Sequence, residues 1–374
     1  MTLVARRPVY EKLGVQSLIN GVGTVTRYGG SIMPLEVVEA MAEAARSYVD
    51  LDELQRKAGE VVARCTGAEA GYVCAGAAAG LVLGTAACVA GSDPAKIRRL
   101  PDTTGMKNEV VMFKSQRNGY DHSIRSVGVK IVEIGFANAT EAWELEAAIG
   151  PATAAVAYVV SSWLHASAAL PLDQVVEIAH RKGVPVLVDA AAALPPHENL
   201  RKFIELGADL VTFSGGKGIR GPQSSGILCG RRDLIEASLA QGNPNHAIGR
   251  PMKVGKEEMV GLATALELYV QRDHRSDFAG WVSKAEMIAN SLKGIAGIYA
   301  REVHDDRWWV PTLIVSFESK WLGRSPNDIA KALQSGDPPI YLTSQPNELI
   351  VAMMTLEEGD AEVVARRLRE ELVR

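Results

Sequence analysis

The segment Ser214-Gly215-Gly216-Lys217-Gly218-Ile219-Arg220-Gly221 places one lysine directly after the apolar run Leu210-Val211-Thr212-Phe213. A long amine at the end of a buried strand, set among residues with almost no side chain, has two readings. Either the backbone must come close to a flat anionic ligand, or the segment is only a loop, and taken alone an exposed loop lysine is the commoner case. A triphosphate-binding loop is excluded, because that pattern needs glycine where Val211 stands and Ser or Thr where Gly218 stands. Beside the loop reading stands a functional one, a desolvated lysine whose lowered pKa would let it form a Schiff base with a carbonyl.

A second candidate lies one helix and one strand earlier. Val184-Pro185-Val186-Leu187-Val188-Asp189 is an apolar strand ending in a carboxylate, and α/β proteins place ligands at the carboxyl edge of their sheets. The plain alternative is a helix cap, at even odds in isolation. The spacing brings Asp189 and Lys217 to neighbouring or near-neighbouring strand ends. A carboxylate beside a lysine-bound pyridine is what pyridoxal 5'-phosphate (PLP) chemistry requires, since the acid keeps the ring nitrogen protonated and able to draw in electrons.

Two weaker signals point to the same edge. Cys74-Ala75-Gly76-Ala77-Ala78-Ala79-Gly80 is a strand end opening into a helix with tiny residues; uncovered N-H groups and the helix dipole there suit a phosphate, although close helix-to-sheet packing also wants Gly and Ala. Gln116, Arg117, Tyr120 and His122 follow one expected strand, and Ser161, Ser162 and His165 follow another. A ring from the first group could stack on the cofactor and a group from the second could bond its phenolic oxygen. Histidines in such loops are more often structural or exposed.

The elements that must position these groups alternate between Val- and Ile-rich runs and amphipathic stretches, which predicts an α/β fold with a mostly parallel central sheet. Strands are expected at 70–74, 109–114, 130–134, 153–160, 185–189, 210–213 and 225–229. Helices are expected at 34–48, 51–65, from 77, and at 141–149, 172–181 and 200–206. After Gly230 the chain turns polar, then resumes with a helix over 257–273, strands at 312–317 and 349–354, and helices at 326–333 and 361–372. Ser325 before Pro326 reads as a helix cap followed by proline at the first helical position. The expected divisions are an N-terminal segment 1–33, a large domain 34–250, and a connector helix with a smaller C-terminal α/β domain over 251–374.

Composition bounds the partners. The 374 residues include 47% hydrophobic and 22% charged, with a formal net charge of -4, which argues against nucleic acid, whose binders need a surplus of Lys and Arg. Cys65, Cys74, Cys88 and Cys229 have no metal or redox spacing and read as buried thiols. The N-terminus has no apolar stretch of signal-peptide length, and the most apolar run, 75–90, is too short to span a membrane. A cytoplasmic enzyme acting on a small molecule, with no metal, is the expectation.

With these residues in place, the sequence resembles fold-type I PLP enzymes, and more narrowly the family of L-seryl-tRNA(Sec) selenium transferase and D-glucosaminate-6-phosphate ammonia-lyase. Leu187 to Pro196, Phe213 to Ile235, Ile248 to Tyr269 and Ser335 to Ile340 carry the resemblance, and Asn20 to Gly30 places it nearer the ammonia-lyase branch. The resemblance implies Lys217 as the cofactor lysine, Asp189 at the pyridinium, and Gly76, Ala77, Ala78 and Ser214 at the phosphate. It implies Arg250 as an anion ligand for substrate or for a neighbouring subunit's cofactor, with Arg117 a further anion candidate, and a homodimer or higher homo-oligomer. The implied activity is elimination from a 3-hydroxy-2-amino acid such as an amino-sugar acid. Racemase, aldolase or aminotransferase chemistry on the same fold, and β-replacement on seryl-tRNA, are the alternatives.

Overall fold

The computed structural model describes residues 8–161 and 168–374; Ser162 and His165 lie outside them. The chain divides into two compact units, one of residues 31–272 and one joining residues 1–30 to 273–374.

The larger unit opens with α2 (Leu35–Ala44), after a short α1 (Pro8–Glu11) and β1 (Ile19–Asn20) that belong to the other unit. It continues with α3 (Leu51–Thr66), β2 (Ala70–Cys74), α4 (Ala77–Ala90), α5 (Pro94–Arg99), β3 (Glu109–Phe113), α6 (Asp121–Arg125), β4 (Lys130–Ile134), α7 (Ala142–Ala148) and β5 (Thr153–Val159). Then come α8 (Leu172–Arg181), β6 (Val186–Asp189), α9 (Asn199–Glu205), β7 (Leu210–Ser214), β8 (Gly226–Gly230), α10 (Arg232–Gln241) and α11 (Lys256–Gln271). The strands form one sheet in the order β2-β8-β7-β6-β5-β3-β4, with β8 antiparallel to both neighbours and the other pairings parallel.

Local chemistry accounts for many boundaries. Asp50 caps α3 by accepting from Asp52 N (2.9 Å) and Glu53 N (3.0 Å), and Gly67 ends it in the left-handed region. α8 turns Val175, Val176, Ile178 and Ala179 inward as an amphipathic face. Helix α4, apolar on all sides, is buried along nearly its whole length among Leu187, Leu210, Leu228 and Ile235.

The second unit contributes α12 (His274–Ser291), β9 (Ile298–Val303), β10 (Thr312–Phe317), α13 (Pro326–Gln334), β11 (Ile340–Tyr341), β12 (Thr343–Gln345), β13 (Glu348–Ala352) and α14 (Asp360–Val373). Its sheet runs β12-β13-β10-β9, antiparallel throughout. Ser325 caps α13, with Pro326 in the first turn, as the sequence indicates.

The domain boundaries differ from the sequence expectation at both ends. The helix 256–271 joins the large unit, because Lys256 Nζ donates to the Ala44 carbonyl (2.7 Å), Arg64 pairs with Glu267, and Gly261 lets Met41 pack close. The N-terminal segment joins the C-terminal residues instead. β1 pairs with β11, Ala352 N donates to Gly21 O (2.8 Å), and Ile19 is buried among Leu313, Ile340 and Leu349.

Candidate active site

Neighbouring strands β6 and β7 deliver the two groups the sequence singles out. Asp189 is the last residue of β6 and pairs with Thr212 of β7, and Lys217 follows β7 by three residues. Asp189 is 8% exposed, and among the described residues its carboxylate accepts one hydrogen bond, from Ala191 N (3.0 Å). Burial raises its pKa, against the Ala191 N-H and the charge of Lys217. Burial lowers the Lys217 pKa, against the charge of Asp189. Each group therefore feels the other, and each is drawn toward its neutral form in a dry place.

The glycines around the lysine answer to the chain itself. A Cβ at Gly216 would stand 2.5 Å from Gln223 Cα, and one at Gly218 would stand 2.4 Å from the Leu194 carbonyl oxygen. The loop also folds on itself through Gly215 N to Ser225 O (2.9 Å) and Gly221 N to Gly215 O (2.8 Å). The small residues here allow tight backbone packing that presents one amine.

A cradle does form beside it. Ser214 pairs with Gly226 of β8, and a Cβ on Gly226 would stand 2.6 Å from Gly76 C and 2.8 Å from Ala77 N. Gly226 thus holds Ser214 close to the turn where α4 begins. Gly76 takes φ 85° at that turn, and among the described residues no side chain caps the helix, so the first N-H groups of a 14-residue helix stay available to an anion.

Next along the sheet stand two hydroxyls. Val160 N donates to the Asp189 carbonyl (2.9 Å), and Val159 N donates to Gln116 Oε1 (2.9 Å), which ties the chain after β5 to its neighbours on both sides. Ser161 Oγ and Ser115 Oγ are both buried and, among the described residues, without a hydrogen-bond partner. Buried hydroxyls rarely stay unpaired, and an oxygen-bearing ligand would satisfy them. Ser161 is expected from the sequence; Ser115 is not, and only the burial of its oxygen distinguishes it.

The remaining candidates have other surroundings. Arg117 is committed to Asp121 (2.6 Å) and Glu133. Tyr120 is exposed, its backbone N held by Asn118 Oδ1 (2.8 Å), and His122 is exposed on α6. Arg250 is exposed and donates to Asn243 Oδ1 (3.0 Å). No described contact joins Arg117, Tyr120, His122 or Arg250 to Asp189 or Lys217. Among the described residues no cluster of His, Cys, Asp and Glu could hold a metal, and no helix is long and apolar enough to cross a membrane. Cys65, Cys74 and Cys229 are buried and Cys88 is partly buried, all as free thiols.

The donor set fits PLP: a half-buried amine, a buried acid, a helix start shaped by Gly76 and Gly226, and two hydroxyls unpaired among the described residues. The architecture is that of fold-type I PLP-dependent enzymes, shared with solved structures at 15% and 16% identity that establish the fold alone. Residues 117–297 match the family described as SelA: L-seryl-tRNA selenium transferase. The chain is 35% identical to D-glucosaminate-6-phosphate ammonia lyase of Salmonella typhimurium, covering 97% of each chain. It is 36% identical to 5'-C-glycyluridine monooxygenase-decarboxylase of a Streptomyces species, covering 97% of this chain and 92% of the relative. A solved structure of D-glucosaminate-6-phosphate ammonia-lyase superposes with a TM-score of 0.87 at 35% identity, over 100% of this chain and 99% of that one. The chain belongs to the PLP-dependent enzyme family of selenium transferase and D-glucosaminate-6-phosphate ammonia-lyase.

Proposed function

We propose that the protein is a PLP-dependent lyase that takes a 3-hydroxy-2-amino acid of the amino-sugar acid type, free or phosphorylated, and releases ammonia and a 2-keto-3-deoxy acid. The observation that carries this reading is the buried Asp189 beside the half-buried Lys217, in a chain that matches an ammonia lyase over nearly its whole length.

In this reading Lys217 would hold the cofactor through its amine, Asp189 would keep a proton on the ring nitrogen, and Ser214 with the Ala77 and Ala78 N-H groups would hold the phosphate. When bound, the cofactor supplies an electron sink for the substrate α-carbon. The Lys217 amine, its basicity lowered by burial, would take the α-proton once the substrate amine replaces it. Ser161 and Ser115 offer hydroxyls to an oxygen of cofactor or substrate. Arg250 remains the candidate anion ligand for substrate or for a neighbouring subunit's cofactor, and Tyr120 and His122 the candidates to stack on the ring. A cytoplasmic homodimer or larger homo-oligomer belongs to the same reading, and sedimentation of the holoenzyme checks the assembly.

The test is anaerobic incubation of the holoenzyme with D-glucosaminate, its 6-phosphate and a panel of D- and L-3-hydroxy amino acids. Equal amounts of ammonia and keto acid, with no amino acceptor added, support elimination. The likeness to a monooxygenase-decarboxylase favours a second reading, oxidative decarboxylation of a glycyl-bearing nucleoside. Turnover that stops without oxygen and releases carbon dioxide would replace the first reading with the second.

A further inference from the structure

Within the glycine-rich lysine loop, one residue contradicts the local backbone. Arg220 takes φ 61°, the left-handed region that glycine enters freely and that costs a side-chain-bearing residue steric strain; among the described residues it is the only non-glycine with positive φ. The flanking loop uses glycine at 215, 216, 218 and 221. A glycine at 220 would relax the backbone, yet the position carries the bulkiest cation.

The arginine side chain has a defined task. Its Nε donates to the Ile32 carbonyl (2.8 Å), while its own backbone N donates to the Lys217 carbonyl (3.0 Å). The preceding residue of the same segment, Ser31, donates its hydroxyl to the Gly216 carbonyl (3.1 Å). The residues on either side of the lysine are thus tied to one stretch of chain, Ser31-Ile32. Without side chains of their own, Gly215, Gly216 and Gly218 cannot provide that anchorage.

We propose that Arg220 is a positioning residue for Lys217: it accepts backbone strain so that its guanidinium can fix the loop presenting the amine. Strained residues persist where the surrounding structure uses them, and small displacements of a reacting group are costly to rate. The inference rests on Lys217 being the cofactor lysine.

The experiment compares wild type, Arg220→Gly and Ser31→Ala. Wild type is first loaded with PLP and its visible absorption band followed against pH, with Lys217→Ala as control. A band that is absent in wild type, or unchanged in Lys217→Ala, removes the underlying reading and the proposal with it. With that band in place, apo Arg220→Gly is expected to melt at or above the wild-type temperature. Its holo form is expected to show a displaced titration midpoint and kcat lower by at least about tenfold. Ser31→Ala should displace the midpoint in the same direction by less. A wild-type midpoint and kcat in Arg220→Gly overturn the proposal. So does an apo melting temperature clearly below wild type, because the arginine would then serve stability.

Discussion

Two buried aspartates stand at opposite ends of the same strands. Asp209, just before β7, is 3% exposed, and its carboxylate meets Val186 N (2.7 Å), His180 Nε2 (2.8 Å) and an Arg231 guanidinium nitrogen (3.0 Å). Asp189, at the far end of β6, is about as buried but accepts a single hydrogen bond from the described residues. Asp209 is thus saturated by its own chain, and it pins the start of β6 to α8 and α10. Asp189 is dry and under-supplied, so burial raises its pKa. A saturated buried acid serves the fold. An unsaturated one beside a lysine of lowered pKa is where a cationic ring can be received.

Substitutions can break this contrast. Lys217→Ala should leave the fold intact and reduce turnover by about 1000-fold or more, since the covalent hold and the base go together; steady-state ammonia release measures it. The asparagine exchanges should then move stability in opposite directions. Asp209→Asn should cost roughly 2–3 kcal/mol in denaturant unfolding, because it disrupts a buried charge-assisted network, with turnover per folded molecule retained. Asp189→Asn should stabilise the apo-protein at neutral pH while lowering turnover at least about 100-fold. The sign follows from the raised pKa. Asp189 is disfavoured only when ionised, so its contribution is intact below the unfolded value of 3.8 and is lost as pH rises through the higher folded value. Wild type and Asp189→Asn should therefore match in acid and diverge toward neutrality.

Asp121 sharpens the contrast, because it begins a helix beyond the carboxyl end of β3 yet is saturated. Its carboxylate, 5% exposed, accepts from Arg117 Nε (2.6 Å) and Arg125 Nε (3.0 Å). Burial pushes its pKa up, but those hydrogen bonds outweigh burial and hold it below 3.8. Its stabilisation is present above pH 3.8 and lost as pH falls through the lower folded value. Asp121→Asn should thus cost about 1–2 kcal/mol at neutral pH and little in acid, by unfolding at both pH values. The smallest effect is expected at the hydroxyls: Ser115→Ala and Ser161→Ala should each weaken PLP binding by about tenfold or less, read by fluorescence titration, without loss of stability.

Much of the site was legible because it depends on chain order. An apolar strand ending in Asp189, then a helix, then a strand ending near Lys217, can only put the two groups on adjacent or nearly adjacent strand ends, and β6 and β7 are neighbours. The tiny residues after Cys74 likewise marked the start of α4. Four features were not legible. Ser115 is one serine among many until the burial of its oxygen is known. Arg220 looks like a solvated cation until its φ is seen. The glycines at 216 and 218 suggested a ligand, whereas Gln223 and the Leu194 carbonyl fill the space. The attachment of residues 8–30 to the C-terminal unit depends on pairing between β1 and β11, far apart in sequence, which local periodicity does not encode.

The most direct test is covalent trapping. The purified protein, loaded with PLP and reduced with borohydride, should carry one pyridoxyl group, and peptide mapping should place it on Lys217. Asp189→Asn should carry the same label on the same lysine, while Asp209→Asn, where folded, should match wild type in both labelling and turnover. A label on another lysine, or none on wild type after PLP is supplied, would contradict the assignment of Asp189 and Lys217 as the site.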